Sequence, residues 1–281
     1  MTLQLLISTL DDGIDSVAQL LLPASTGISY LVSWQHSDGA RREVPAALER
    51  DDVQVLHMDG RGLSRNRNNC LRHATADVLL IVDDDCRYKA EWLQAIIDTF
   101  ESHPQVDIAA FMMQSEAQPK QYPDHSFSLG ESPRGYYVTS FELAIRRTSI
   151  QGRLQFNEHF GLGAPLFRCG EEELLVHNAL QLGMDVRFFP ITVVRHDHAT
   201  TQSSRAGEPA VLRGRGAFLY AGGYRRSMLV RPFTIARQLH KAHGVPYWHA
   251  VRYMLEGVFY MIFHPSIARA GIVKTDGQRQ P

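Results

Sequence analysis

Cysteine is scarce in this chain: Cys70, Cys86 and Cys169 are the only three in 281 residues, and no two form a Cys-x-x-Cys pair. An odd, scattered set of thiols excludes a disulfide framework and a structural zinc site, and points to a reducing compartment. Net charge is also nearly absent, at −1, so no global field draws the chain to nucleic acid or membrane. No segment reaches the roughly 18 consecutive apolar residues of a membrane span. The nearest, YWHAVRYMLEGVFYMIF at 247–263, is amphipathic and contains Arg252 and Glu256. The opening MTLQLLISTLDDG has no basic leader, and Asp11 and Asp12 cut its apolar run short, so it reads as a first strand and not a signal peptide. There is no internal repeat and no low-complexity tract. These absences predict a cytoplasmic protein with no nucleic-acid partner, leaving open peripheral attachment at the inner face of a membrane. They do not fix the oligomeric state.

What remains is 44% hydrophobic and 21% charged, the make-up of a globular enzyme-sized chain. Short apolar runs at 3–10, 29–36, 53–58, 78–82 and 106–113 read as strands. Helical spacing falls at 14–22, 64–73 and 89–103, the last with Trp92, Leu93, Ile96, Ile97 and Phe100 on one face and Pro104 at its end. Alternating strands and helices predict an α/β fold, a Rossmann-like and mainly parallel sheet with helices on both faces. The Pro-, Ser- and Gly-rich stretch 114–135 reads as a long loop or lid. A strand at 136–145, a helix at 171–183 closed by Gly183, and a strand at 186–194 follow. Residues 205–237 hold seven arginines against one glutamate, the only strongly basic region.

The strand VLLIV at 78–82 runs straight into Asp83, Asp84 and Asp85. Ligands of parallel sheets bind beyond the carboxyl ends of strands, so these aspartates fall on the functional rim. Three adjacent carboxylates repel one another, and a divalent metal, manganese or magnesium, is the expected counter-charge. If the strand stays extended, Asp83 and Asp85 project the same way and share one ligand while Asp84 faces elsewhere. The run RGLSRNRNNCLRHA at 61–74 supplies Arg61, Arg65, Arg67 and Arg72 nearby, suited to a pyrophosphate or to paired carboxylates. Taken singly, each cluster also reads as a solvated acidic turn or an ordinary basic helix face.

GLSRNRNN (62–69) followed by HATADVLLIVDDDCRY (73–88) resembles the family-2 glycosyltransferases of the GT-A fold, which pair an Arg-Asn helix with an aspartate motif ending an apolar strand. FGLGAPLFRCGEEELLVHNALQLG (160–183) resembles that family's Gly-Glu-Asp helix start, with Gly170, Glu171 and Glu172 as the aligned triplet. VVRHDHATT (193–201) is similar to its late histidine followed by Ser or Thr, and RGRGAFLYAGGY (213–224) to its basic Gly-Ala stretch. The motifs are loose one by one, but their order covers most of residues 3–224.

The resemblance implies sugar transfer from a nucleotide-sugar, UDP- or GDP-linked, to an acceptor hydroxyl on a sugar or glycoconjugate, as in polysaccharide biosynthesis, with inversion. It implies Glu172 as the base, with Glu171 as runner-up, and a metal held by Asp85, Asp83 and His196, with His198 the alternative histidine. Thr9, Asp11, Arg67, Asn68, Asp83, Asp84, Arg213 and Arg215 become nucleotide-sugar contacts. Gln35 and His36 stand where the family often has an acidic pair, which leaves the nucleotide base open. The implied organisation is a GT-A domain over 1–225, divided into a nucleotide-binding half (1–113) and an acceptor-binding half (114–225), then a helical extension over 226–281. A nucleotidyl- or phosphoryl-transfer enzyme is the competing class, but STLDDGIDS offers no Gly-rich phosphate loop. A non-catalytic nucleotide-sugar-binding protein is the third.

Overall fold

The structure is a computed structural model that describes residues 1–40, 42–116, 119–197 and 205–273. Among the described residues eight strands form one sheet in the order β3-β2-β1-β4-β7-β5-β8-β6. β1 (Leu3–Leu10) lies parallel between β2 (Ile28–His36) and β4 (Val78–Asp83), and β3 (Val53–Asp59) pairs parallel with β2. β5 (Ile108–Gln114) runs parallel with β8 (Val186–Arg195). β7 (Leu143–Arg146) is antiparallel to both β4 and β5, and the two-residue β6 (Phe127–Ser128) is antiparallel to β8. The sheet is therefore mixed and mostly parallel.

The continuous apolar runs of the central strands are explained by two-sided burial. Leu5, Ile7, Val78, Leu80 and Val82 point into one layer with Leu93, Ile96 and Phe100 of α3 (Ala90–Ser102). Their neighbours Leu6, Leu79 and Ile81 point into the other, with Cys70 of α2 (Leu63–His73) and with Leu175 and Ala179 of α5 (Glu171–Gln181). The expected helix at 14–22 is shorter than its spacing suggests. Only α1 (Ile14–Val17) is α-helical, flanked by 3-10 turns at Asp11–Gly13 and Ala18–Leu20.

One expectation fails between 114 and 146. Of the strand expected at 136–145 only the last residues pair, because Ser140–Glu142 turn as a 3-10 helix and the buried Glu142 carboxylate accepts from the Thr139 amide at 2.8 Å. The same carboxylate holds Lys120 at 2.7 Å, and Tyr122 donates to it as well. The Lys120 ammonium also lies 4.3 Å from the centre of the Tyr137 ring. This Pro-rich stretch is therefore anchored at Lys120 and Tyr122.

The C-terminal helices are α6 (Pro209–Ala221), α7 (Arg231–His243) and α8 (Tyr247–Phe263), with the short α4 (Arg147–Ile150) lying earlier in the chain. Ala206 and Leu212 share a core with Ala236, Leu239, Ala250 and Met254, so packing is continuous across residue 225. α6 and α8 touch backbone to backbone: a Cβ on Gly216 would overlap the Met254 carbonyl oxygen, and one on Gly257 the Arg213 carbonyl. Among the described residues no helix is long and apolar enough to cross a membrane.

Candidate active site

The chain leaves β1 for β2 on one side, whereas β4 joins it on the other, so a crevice opens beyond the carboxyl ends of β1 and β4. Ser8 lies opposite Asp83 in that register. A cavity of about 640 Å³ fills the crevice, lined by Ser8, Thr9, Gln35, Arg61, Asn66, Arg67, Asp83, Asp84, Asp85, Ser140, Arg168, Glu171, Glu172, His196 and Arg205.

The three aspartates do not follow strand alternation. β4 stops at Asp83, and Asp84 and Asp85 form a turn in which the Cys86 amide donates back to the Asp83 carbonyl at 3.2 Å. Each carboxylate consequently meets a different partner. Asp83 accepts from Arg67 Nη2 at 2.8 Å and from Ser140 Oγ at 3.4 Å. Asp84 accepts from Thr9 Oγ1 at 2.5 Å. Asp85 meets His196 Nε2 at 3.2 Å, and the imidazole stacks on Phe141 with ring centres 4.6 Å apart. The alternation of an extended strand therefore stops at Asp83, and Asp83 and Asp85 meet separate partners within the chain.

Burial pushes the Asp84 carboxyl up to about 6, Thr9 opposes the shift, and the neighbouring charges of Asp83 and Asp85 add to it. Burial depresses the His196 imidazole, but Asp85 outweighs it and the net shift is upward. Among the described residues no group of three His, Cys, Asp or Glu side chains is arranged to hold a metal. The Asp85–His196 pair offers two donors.

The opposite wall begins at α5. Gly170 precedes it at φ 89°, a left-handed conformation that suits glycine, and the helix opens on Glu171 and Glu172. Gly161 is required by space as well as by its φ of 101°. A Cβ there would stand 2.8 Å from Ser64 Oγ and 3.1 Å from the Glu171 carboxyl carbon. Ser64 donates to the Phe160 carbonyl at 2.6 Å and the Leu63 amide to Leu162 at 2.8 Å, which ties α2 to this loop. Arg67, 2% exposed, reaches across to Glu171 at 3.2 Å. Glu172 is buried, and burial raises its proton affinity well above the ordinary carboxylate range. Glu171 and Glu173 push the same way, and Arg67 pulls against them.

Thr9, Arg67, Asp83, Asp84, Asp85, Glu171, Glu172 and His196 therefore meet at one cavity, from five separate parts of the sequence. Four expected donor contacts do not line it. Asp11 holds the Ser37 amide and hydroxyl at 2.7 and 2.6 Å and stands 3.8 Å from Arg61, which does line the cavity. Asn68 faces away, bonding the Phe156 carbonyl at 2.9 Å and the Phe156 amide at 2.8 Å, because it lies about 200° round the helix from Asn66, which lines the cavity. Arg213 pairs with Glu256 at 2.9 Å and so belongs to the α6–α8 contact. Arg215 lines a separate cavity of about 170 Å³ with Cys169 and Glu173. His198 and Thr201 lie outside the described residues.

Asn66, Ser140 and Arg168 line the cavity and were not anticipated. Asn66 had a signal, since Asn66 and Arg67 stand three and four residues after Leu63, which places each beside Leu63 on the helix surface. Ser140 and Arg168 had none, as each arrives through a loop.

Residues 35–164 match a family model described as Glycosyl transferase family 2. Over those residues the chain is similar to the family-2 glycosyltransferases. The chain is 38% identical over 56 residues to the glucosyl-dolichyl phosphate glucuronosyltransferase of Haloferax volcanii, covering 19% of its own length and 18% of the relative. It is 26% identical over 163 residues to the pre-mycofactocin glycosyltransferase of Mycobacterium tuberculosis, covering 53% of its own length and 33% of that protein. The matches thus span a third or less of these curated relatives. Among solved structures, S. aureus TarS 1-349 superposes with a TM-score of 0.60 at 15% identity, covering 96% of this chain and 87% of TarS. The same protein in complex with UDP-GlcNAc gives 0.56 at 15% identity, covering 94% and 73%. At such identity the likeness establishes the GT-A fold alone.

Proposed function

We propose that this protein transfers a sugar from a nucleotide-sugar to an acceptor hydroxyl, with inversion and with the help of a divalent metal. The observation that carries the reading is the meeting of the Asp83–Asp85 turn with the buried Glu171 and Glu172 across one cavity. A donor belongs on the β1–β4 side, where Thr9, Asn66 and the arginines Arg61, Arg168 and Arg205 offer hydrogen bonds and positive charge to a diphosphate. UDP is the favoured nucleotide, since the structural relative was solved with UDP-GlcNAc and with UDP.

Glu172 is the base. Glu171 is committed to Arg67, whereas the environment of Glu172 raises its proton affinity and suits it to take a proton from an alcohol. The acceptor oxygen loses its proton to Glu172 as it attacks the anomeric carbon, and the nucleoside diphosphate departs from the opposite face. The donor set fits a hard cation that keeps sites for phosphate oxygens: one carboxylate and one imidazole, 3.2 Å apart, with Asp85 open to the cavity. Manganese or magnesium held by Asp85 and His196 would neutralise charge gathering on the departing diphosphate.

A screen of UDP- and GDP-sugars for hydrolysis, with manganese and with a chelator, tests the reading. At least one donor should turn over faster with metal. If no nucleotide-sugar is hydrolysed or bound under either condition, the proposal is wrong.

A further inference from the structure

Between Glu208 and Glu256 the chain carries no acidic side chain in 47 residues, yet it places seven arginines and one lysine there. Arg213 and Arg252 are used internally on Glu256. Arg225, Arg226, Arg231 and Arg237 are exposed, and among the described residues none of the four is ion-paired. Interleaved with them stand apolar side chains that the fold leaves in water: Leu229 is 46% exposed, Val230 64% and Phe233 38%.

This segment is ordered by its own hydrogen bonds. The Val230 and Arg231 amides donate to the Ser227 carbonyl at 2.9 and 2.8 Å, and the Phe233 amide to Val230 at 3.2 Å. Arg231 lies 4.1 Å from the centre of the Tyr224 ring. Apolar tips set among arginines on a firm turn match the headgroup layer of a bilayer, where phosphates meet the guanidinium groups and the aliphatic side chains leave water. A second copy of the chain is the poorer occupant, because a face packed on itself would oppose its own four arginines.

We propose that residues 224–237 dock this protein on an anionic lipid bilayer. Leu229, Val230 and Phe233 enter the headgroup layer, and the flanking arginines pair with lipid phosphates. The docking face borders the chemistry: Tyr224 and Arg231 line the second cavity together with Cys169, which also lines the main cavity two residues before Glu171. Docking therefore presents the main cavity to acceptors carried on lipid, a consequence that rests on the sugar-transfer reading, whereas the surface itself does not.

Co-sedimentation of the full chain with phosphatidylcholine vesicles, with and without phosphatidylglycerol, tests this. The protein should pellet with the anionic vesicles and remain in solution with the neutral ones. Arg225→Ala with Arg226→Ala should weaken partitioning about 30-fold. Val230→Asp should abolish it at unchanged melting temperature and unchanged UDP binding. Failure of the parent to bind anionic vesicles overturns the proposal, as does undiminished binding by Val230→Asp. So does size-exclusion chromatography showing that Val230→Asp only converts a dimer to a monomer. Vesicle binding without turnover of any nucleotide-sugar upholds the surface and counts against sugar transfer. Turnover without vesicle binding does the reverse.

Discussion

Arg67 spans the site from α2: its Nη2 lies 2.8 Å from Asp83 and its Nη1 3.2 Å from Glu171, with the side chain only 2% exposed. The end of β4 and the start of α5, 88 positions apart in the chain, are thus joined through one guanidinium. Burial works against the charge of such a group, but Asp83 and then Glu171 outweigh it, and its affinity for the proton rises. Removing the charge leaves the nearly buried Glu171 and the part-exposed Asp83 without the cation they share. Arg67→Met should therefore cost about 3–5 kcal/mol, read from the urea midpoint. A loss below about 1 kcal/mol would mean water already solvates both carboxylates, as at an exposed pair.

Glu172 gives a prediction with opposite signs for stability and turnover. Its folded-state proton affinity is raised, first by burial and then by Glu171 and Glu173. Stability from such a group is complete below the ordinary carboxylate range and is lost as pH climbs through the folded value. Glu172→Gln carries no such loss. The variant should melt above the parent at neutral pH and converge with it in acid, measured by calorimetry without metal or nucleotide. Transfer by the parent should rise with pH through the same folded value, as the base sheds its proton. In the variant transfer should vanish while UDP binding stays. A variant that melts lower at every pH would show that the carboxylate is held ionised by its partners.

Asp85 and His196 predict a metal effect on binding. If the pair holds a divalent ion, UDP should bind more tightly with manganese than with a chelator, and Asp85→Ala should erase the difference. His196→Ala should reduce it, and the ring lost from Phe141 should also lower stability, because the two are stacked. Titration calorimetry separates the two effects. An undiminished manganese effect in Asp85→Ala would move the metal away from this turn.

The sequence made the central sheet legible because its strands are buried on both faces, and two-sided burial writes itself as unbroken apolar runs such as VLLIV. β7 was misjudged for a physical reason: YYVTSFELAI has strand composition throughout, yet Glu142 turns back on the Thr139 amide and breaks the extended path. Asp83 to Asp85 were placed at the right rim, but alternation failed once the chain left the strand. Glu171 and Glu172 were legible only through resemblance, since a run of glutamates at a helix start is what the helix dipole alone would favour. Ser140 comes from the 3-10 turn that interrupts the expected strand, and Arg168 from the loop whose Gly161 and Gly163 approach the start of α2, a contact between positions about 100 residues apart. No local pattern records such a contact.

The asparagines of α2 separate fold from ligand within a single helical turn. Asn68 makes three hydrogen bonds, donating to the Phe156 carbonyl at 2.9 Å and Glu158 Oε1 at 3.0 Å and accepting from the Phe156 amide at 2.8 Å. It thereby fixes the segment leading to Phe160 and Gly161. Asn66 donates once, to the Thr9 carbonyl at 3.0 Å, and among the described residues its buried Oδ1 has no hydrogen-bond partner. That acceptor faces a site the chain alone does not fill. Asn68→Ala should cost about 1–3 kcal/mol of stability, because it strands a buried amide and carbonyl, and leave UDP affinity within twofold (about 0.4 kcal/mol). Asn66→Ala should do the reverse, weakening UDP binding by about tenfold for the loss of roughly one good hydrogen bond while the melting temperature holds. Should Asn68→Ala weaken UDP more than Asn66→Ala does, the Arg-Asn pair of the family pattern would be the ligand-binding pair here after all, and the side of α2 facing the nucleotide would have to be reassigned.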